Sequence, residues 1–214
     1  TATGLLTAGA GYGTGAVTAA WGDDWTAASG EITVRNIAEL GLTGDIPAAM
    51  AEGEVVGFVA ELLYNDGLVE DVTQAAEWAW TGPDEAGTVT SGAFRAAAGF
   101  GQGTVTVTLA DHQAASGPIV VRNAVELTLS EHQPAVMAAG DSLALQAVLH
   151  CNDGTELPVT ADATWAWTES DGAAIVAAGV LTAGDGCGTG VVTASYGAFA
   201  AQSAELTVRN AVEL

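Results

Sequence analysis

The chain has 214 residues, nearly half of them hydrophobic, with 28 glycines and only 14% charged residues. That is enough apolar material for packed cores, and it excludes the low-hydrophobicity, high-charge composition of a disordered chain. The formal net charge is −22 with no lysine, so nucleic acid and anionic lipid, both bound through Lys and Arg, are excluded as partners. Lysine-dependent chemistry such as a Schiff base is excluded too.

In chain order, the first elements are three short strand-like runs: Gly4-Leu5-Leu6-Thr7-Ala8, Gly11 to Ala19, and Glu31-Ile32-Thr33-Val34. Apolar and Thr residues alternate with period two between bounding glycines, which predicts β-strands. Then comes Val34-Arg35-Asn36-Ile37-Ala38-Glu39-Leu40, which returns at Val121-Arg122-Asn123 and again at Val208-Arg209-Asn210, a spacing of 87 residues from Arg35 to Arg122 to Arg209. A fixed period of this length is the mark of a tandem array. The heptapeptide holds three of the four basic residues and neither Gly nor Pro, so it reads as a firm joint between domains rather than a loose linker. The expected domains are 1–35 (the C-terminal part of one), 36–122, 123–209, and 210–214 as the start of a further repeat. Three strands cannot close a sandwich. Either the sequence is a slice of a longer array, or neighbouring chains supply the missing strands.

Each full repeat opens with a short strand carrying Leu40 and Leu42, or Leu127 and Leu129. The next strand places Val56, Phe58, Ala60 and Leu62 on one face, matched by Leu143, Leu145, Ala147 and Leu149. Asn65-Asp66-Gly67 and Asn152-Asp153-Gly154 supply hairpin turns. Trp78-Ala79-Trp80 and Trp165-Ala166-Trp167 follow. Residues two apart share a face, so all four tryptophans are expected to point into the cores. The repeats close on Gly92–Ala96, Gly99–Val107 and Ile119–Val121, and on Gly179–Ala183, Gly186–Ala194 and Glu205–Val208. The expected fold is all-β, with tandem Ig-like β-sandwiches joined end to end.

The succession Asn-Asp-Gly, a Val-Thr segment, Trp, Gly-Val-Leu-Thr-Ala, Gly-Thr-Gly-Val-Val-Thr-Ala and a closing Leu-Thr-Val resembles the bacterial Ig-like domains of group 2. Those modules recur in intimin- and invasin-like adhesins, other bacterial surface proteins and some phage structural proteins. The likeness spans essentially the whole chain. The second repeat departs from it at Phe94-Arg95, and the Trp-x-Trp pair stands where one tryptophan is the rule. The resemblance implies a structural module of an extended extracellular or cell-surface repeat protein, such as a stalk, adhesin rod or filament subunit. Its partners would be neighbouring copies of the same repeat or chain. The alternative is a carbohydrate- or receptor-binding module of an adhesin or phage fibre.

Several constellations point to particular sites. Gly-x-Gly-x-Gly recurs at Gly11, Gly99 and Gly186, each time before a strand instead of a helix, so it reads as a turn and not a nucleotide loop. Cys151 aligns with Tyr64 and Cys187 with Phe100 one period earlier. An aromatic pair replaced by a cysteine pair predicts a Cys151–Cys187 disulfide, and with it an oxidising compartment. Arg35, Arg122 and Arg209, with Asn36, Asn123 and Asn210, mark the inter-domain joint, where each Arg is expected to reach a carboxylate or carbonyl in an adjacent loop. Trp21 and Trp25 flank a hairpin tip as candidate ligand contacts, although the corresponding Leu109 and Tyr196 make Trp21 equally readable as the last packed residue of its strand. Ca²⁺ is the one cofactor considered, with Asp23, Asp24, Asp66, Asp153, Asp171 and Asp185 as donors, but no EF-hand or β-roll spacing is present. His112, His132 and His150 are scattered and no catalytic motif occurs, so no enzymatic activity is expected. No apolar run is long enough to span a membrane.

Overall fold

In a computed structural model, residues 4–130, 136–168 and 173–210 are described. Every regular element among them is a strand except one three-residue 3₁₀ turn at Asp84–Ala86. The chain divides into two compact units, Thr1–Val121 and Arg122–Leu214. The division falls inside the recurring heptapeptide.

The first unit begins with four short strands, β1 (Gly13–Gly15), β2 (Thr18–Trp21), β3 (Trp25–Ala28) and β4 (Ile32–Val34). β1 pairs with β4 and β2 with β3, all antiparallel. A sandwich follows, built from β5 (Ile37–Gly44), β6 (Val55–Tyr64), β7 (Val69–Asp71), β8 (Glu77–Trp80), β9 (Gly87–Thr90), β10 (Ala93–Ala96), β11 (Gly101–Gly103), β12 (Val105–Leu109), β13 (His112–Ala115) and β14 (Ile119–Val121). One sheet runs β5-β6-β10-β9, with β7 also on β6. The facing strands pair as β13-β12-β8 and β11-β14. After β5 the chain crosses to this second layer, where Met50 makes a parallel bridge to Val121. A first strand that changes sheets is how an Ig-like sandwich ties its two layers together.

Alternation along β6 decides which side faces inward. Val56, Phe58, Ala60 and Leu62 are buried while their neighbours Val55, Gly57, Val59 and Glu61 are exposed. A one-residue slip would turn that whole apolar set to solvent, so the pairing register is strongly specified. Val56 and Phe58 meet Val105, Ile119 and Val121 from the opposite sheet, and Ala60 and Leu62 meet Val107 and Leu40.

The second unit repeats this plan with β15 (Ala124–Leu129), β16 (Val136–Met137), β17 (Ser142–Ala144), β18 (Ala147–Cys151), β19 (Glu156–Pro158), β20 (Thr164–Thr168), β21 (Ala174–Ala177), β22 (Val180–Ala183), β23 (Gly188–Tyr196), β24 (Phe199–Gln202) and β25 (Leu206–Val208). Met137 again lies on a parallel pair with the last strand. Leu145, Leu181, Val192 and Leu206 fill one half of the core; Leu127, Leu149 and Ala194 fill the other. The chain thus contains two consecutive Ig-like sandwiches, preceded by β1–β4.

One small device recurs in all three strand groups. The backbone N–H of Val17, Val105 and Val192 donates to the hydroxyl of Ser29, Ser116 and Ser203, at 2.9, 3.0 and 2.9 Å. Each hydroxyl donates in turn to the next carbonyl, of Gly30, Gly117 and Ala204. β1–β4 therefore adopt the conformation of their counterparts in the complete sandwiches.

The tryptophans correct one expectation in degree. Trp78, Trp80, Trp165 and Trp167 all pack against the cores, but each is half-buried. β8 and β20 are edge strands, so one flank of each indole stays open. Their N–H groups are satisfied locally: Trp78 donates to the Thr73 carbonyl at 2.9 Å, Trp165 to Thr160 at 3.0 Å and Trp80 to Pro83 at 3.0 Å.

The Cys151–Cys187 disulfide is not formed; both thiols are free, Cys151 buried and Cys187 exposed. Cys151 lies opposite Ala124 where the sandwich begins. Cys187 immediately precedes Gly188, which pairs with Val208 where the sandwich ends. β23 from Gly188 to Ala194 alone covers about 20 Å, against the roughly 5–6 Å between Cα atoms that a disulfide needs. The aligned aromatics Tyr64 and Phe100 are likewise at opposite ends, opposite Ile37 and beside the Gly101–Val121 pair.

Candidate functional site: the joint at the repeated heptapeptide

At the first heptapeptide, the Asn36 amide N–H donates to the Asn65 side-chain oxygen at 3.0 Å. The Asn65 N–H returns a bond to the Asn36 carbonyl at 3.0 Å. The two carboxamides then reach back to the turn before β1. Asn36 Nδ2 donates to the carbonyls of Gly9 and Gly11 at 3.2 and 2.9 Å, and Asn65 Nδ2 to that of Ala10 at 3.3 Å. Arg35 Nε sits 3.3 Å from Asp66 Oδ2, and its guanidinium lies 5.6 Å from the Tyr64 ring centroid. The Asn-Asp-Gly turn therefore both reverses the chain and holds the joint.

Local chemistry explains why these residue types are needed. Gly67 takes φ +86°, a conformation that disfavours side chains. Asp66 Oδ1 accepts the Leu68 N–H at 3.1 Å, which leaves Oδ2 for Arg35. A carboxamide both donates and accepts, so Asn65 can take a bond from Asn36 while giving one to Ala10.

The second heptapeptide repeats the pattern within its own unit. Asn123 N–H donates to Asn152 Oδ1 at 2.9 Å, and Asn152 N–H donates to the Asn123 carbonyl at 2.8 Å. Arg122 Nε again lies 3.3 Å from Asp153 Oδ2. That contact is an ion pair by distance, without the alignment of a hydrogen bond. Burial raises the Asp153 carboxyl, but the Thr155 backbone and hydroxyl together with Arg122 outweigh it, leaving the group below its ordinary value. Burial, and then Asp153, push the neighbouring Cys151 thiol up, with Arg122 opposing. At the third heptapeptide, Asn210 Nδ2 donates to Gly186 and Gly184 carbonyls at 2.7 and 3.3 Å, and its oxygen accepts the Ala139 N–H at 2.7 Å. Residues 211–214, expected to begin another repeat, lie outside the described residues.

The other candidates fall elsewhere. Trp21 and Trp25 face each other across the β2–β3 hairpin and are 83% and 73% exposed. Their counterparts Leu109, Tyr196 and Phe199 are partly buried against the sandwich cores. Asp66 and Asp153 are engaged with the arginines, and Asp171 and His132 lie outside the described residues. Among the described residues no group of three or more His, Cys, Asp or Glu side chains is placed to hold a metal, and no helix is long and apolar enough to cross a membrane. His150 is held by Thr128 at 2.8 Å and by Glu156 at 3.5 Å.

The part played by the Asn-Asp-Gly turns is absent from the sequence expectations. The signal for it was their constant offset: Asn65 and Asn152 each lie 29 residues beyond the heptapeptide Asn.

No family model matches the chain, and no curated protein does. Among solved structures, domains 4–9 of the surface layer protein SbsC are 17% identical, with a TM-score of 0.33, over 94% of this chain and 35% of that one. Domains 1–6 of SbsC are 14% identical with a TM-score of 0.41, over 90% of this chain and 31% of that one. A C-terminal 282-residue fragment of intimin, solved with the intimin-binding domain of its translocated receptor, is 13% identical with a TM-score of 0.36, over 81% of this chain and 64% of that one. This chain thus spans about a third of each of these two SbsC structures.

Proposed function

We propose that the chain is a structural module of an extended extracellular or cell-surface repeat protein with repeats at 36–122 and 123–209, in which the strands before Arg35 are tied to the first repeat by a hydrogen-bonded joint. The supporting observation is the Asn36–Asn65 pair, where three hydrogen bonds from two carboxamides converge on the Gly9–Gly11 segment, and a fourth, from the Asn36 N–H to Asn65 Oδ1, ties the pair together. Asn123–Asn152 recurs in the same form. A net hydrogen bond contributes roughly 0.5–1.5 kcal/mol, and although the three bonds to the Gly9–Gly11 turn are exposed, several acting together hold one angle against thermal bending. The acidic surface, in turn, disfavours lateral clumping of such modules. The resemblance to group 2 bacterial Ig-like domains belongs to this reading.

The double variant Asn36→Ala, Asn65→Ala tests it. Small-angle scattering should show a broader distribution of intramolecular distances than for the unaltered chain, with the far-UV spectrum retained. An unchanged distribution would remove the joint as the source of stiffness.

A further inference from the structure

The two sandwiches share their inward pattern, but the outer face of the sheet built on β6 differs from its counterpart. Val55, Val59 and Leu63 point outward from β6, and Val69 stands opposite Leu63 on β7. All four are exposed. The same positions one repeat later are Ser142, Gln146, His150 and Glu156. The sheet folds with polar residues at these places, so folding does not require the apolar set of the first unit. An apolar set exposed without a packing role marks an interaction surface.

Charge changes along with them. Glu61 on β6 and Asp71 on β7 stand directly opposite each other, where like charges destabilise a sheet. Their counterparts are the uncharged pair Val148 and Pro158. At the other end of the face Arg95, on β10, stands opposite Val55, where the second unit has Thr182. Arg95 is the one arginine outside the repeated heptapeptide, and among the described residues it enters no ion pair. β10 and β7 both pair with β6 on the side away from β5. A positive and a negative site therefore stand on one flank, level with Val55 and with Glu61. Between them the floor drops at Gly57, where an added methyl would meet nothing within 4 Å, and rises again at Val59.

We propose that this face pairs with the same face of a second copy of the chain, about a two-fold axis that crosses β6 at Phe58. Rotation about an axis lying between the two sheets, at right angles to β6, reverses the strand direction and keeps the flank. Arg95 of each copy then faces Asp71 and Glu61 of the other, and Val59 of each lies over the other's Gly57. The contact is isologous, each patch being its own complement. Sheets packed about 10 Å apart, with strands within about 30° of each other, bring an arginine and a carboxylate within reach. The face spans about 26 Å along β6 and about 19 Å across its strands. Two copies together bury on the order of 1,000 Å², the low end for a specific interface, so the pairing is weak and reversible. A lysine-rich partner is the weaker account, because Glu61 and Asp71 would attract it while Arg95 repelled it.

The test is sedimentation equilibrium of the 214-residue chain in about 0.1 M sodium chloride, where the screening length is about 10 Å. The weight-average mass should climb toward that of a dimer as concentration rises. Arg95→Glu in one chain, and Glu61→Arg with Asp71→Asn in another, should each weaken association by about tenfold or more. Mixed in equal amounts, these two variants should pair again, because every charged contact between them joins opposite signs. Val59→Gln, the residue that the second unit carries there, should weaken the pairing too. Arg95, Glu61 and Val59 are exposed, and asparagine keeps an acceptor for the Thr73 N–H that Asp71 holds at 2.9 Å, so the far-UV spectra should not change. A mass that stays monomeric at every concentration would overturn the assignment. So would dimers indifferent to both charge reversals, or a mixture that pairs no better than its components. The pairing is independent of the joint, and Asn36→Ala, Asn65→Ala should leave it intact.

Discussion

At the residue scale, the joint depends on side chains with two jobs each. Asp153 accepts the Thr155 N–H with one oxygen and faces Arg122 with the other. Its carboxyl is held below the ordinary range in the folded protein. A group depressed in this way adds stability that is complete above its unfolded pKa of about 4, and that disappears as pH falls through the lower folded value. The urea midpoint of the second unit should therefore drop on acidification below about pH 4, and Asp153→Asn should remove part of that drop. A second expectation concerns Gly190, whose added methyl would meet both the Trp167 ring and the Thr168 carbonyl, the latter at 2.8 Å. Backbone cannot swing away as a flexible side chain can. Gly190→Ala should lower the stability of the second unit by about 1–3 kcal/mol in urea unfolding.

At the scale of the strand, the Trp-x-Trp element is where each sandwich concentrates its aromatic packing. Trp80 meets Phe94 at 4.5 Å between ring centroids and stands against both Gly82 and Gly103. Because it is half-buried on an edge strand, Trp80→Ala should cost about 2–4 kcal/mol, toward the lower part of the range for core aromatics. Hydrogen exchange of the β12 amides, paired to β8, should report the loss. The alternation of β6 and the identity of the tryptophan strands were legible in the sequence because burial on one face imposes a period of two. The half-exposure of the indoles was not, since an edge strand and a central strand share that period. The cysteine pairing failed for a related reason. Aligned substitutions show that two positions changed together, but nothing in the linear chain shows that Tyr64 and Phe100 occupy opposite ends of one sandwich. The Asn-Asp-Gly turns were legible as turns from their φ requirement, while their role in the joint depends on a partner 29 residues away.

For the whole molecule, long-range charge repulsion outweighs the local ion pairs. Four arginines face 26 carboxylates, and two of the arginines are engaged with Asp66 and Asp153. Salt acts in two opposing ways. It weakens those two ion pairs, worth at most about 1 kcal/mol each, and it screens repulsion among the many other carboxylates. With the screening length falling from about 30 Å at 0.01 M to about 10 Å at 0.1 M, the repulsive sum over the surface loses far more than the two short contacts do. The melting temperature should therefore rise with sodium chloride. Calcium chloride at matched ionic strength separates screening from binding. Equal melting temperatures in the two salts would leave calcium as a counterion only. A further rise in calcium, abolished by chelator, would place a cation among the acidic loops and give the Asp23–Asp24 hairpin tip a role that packing does not.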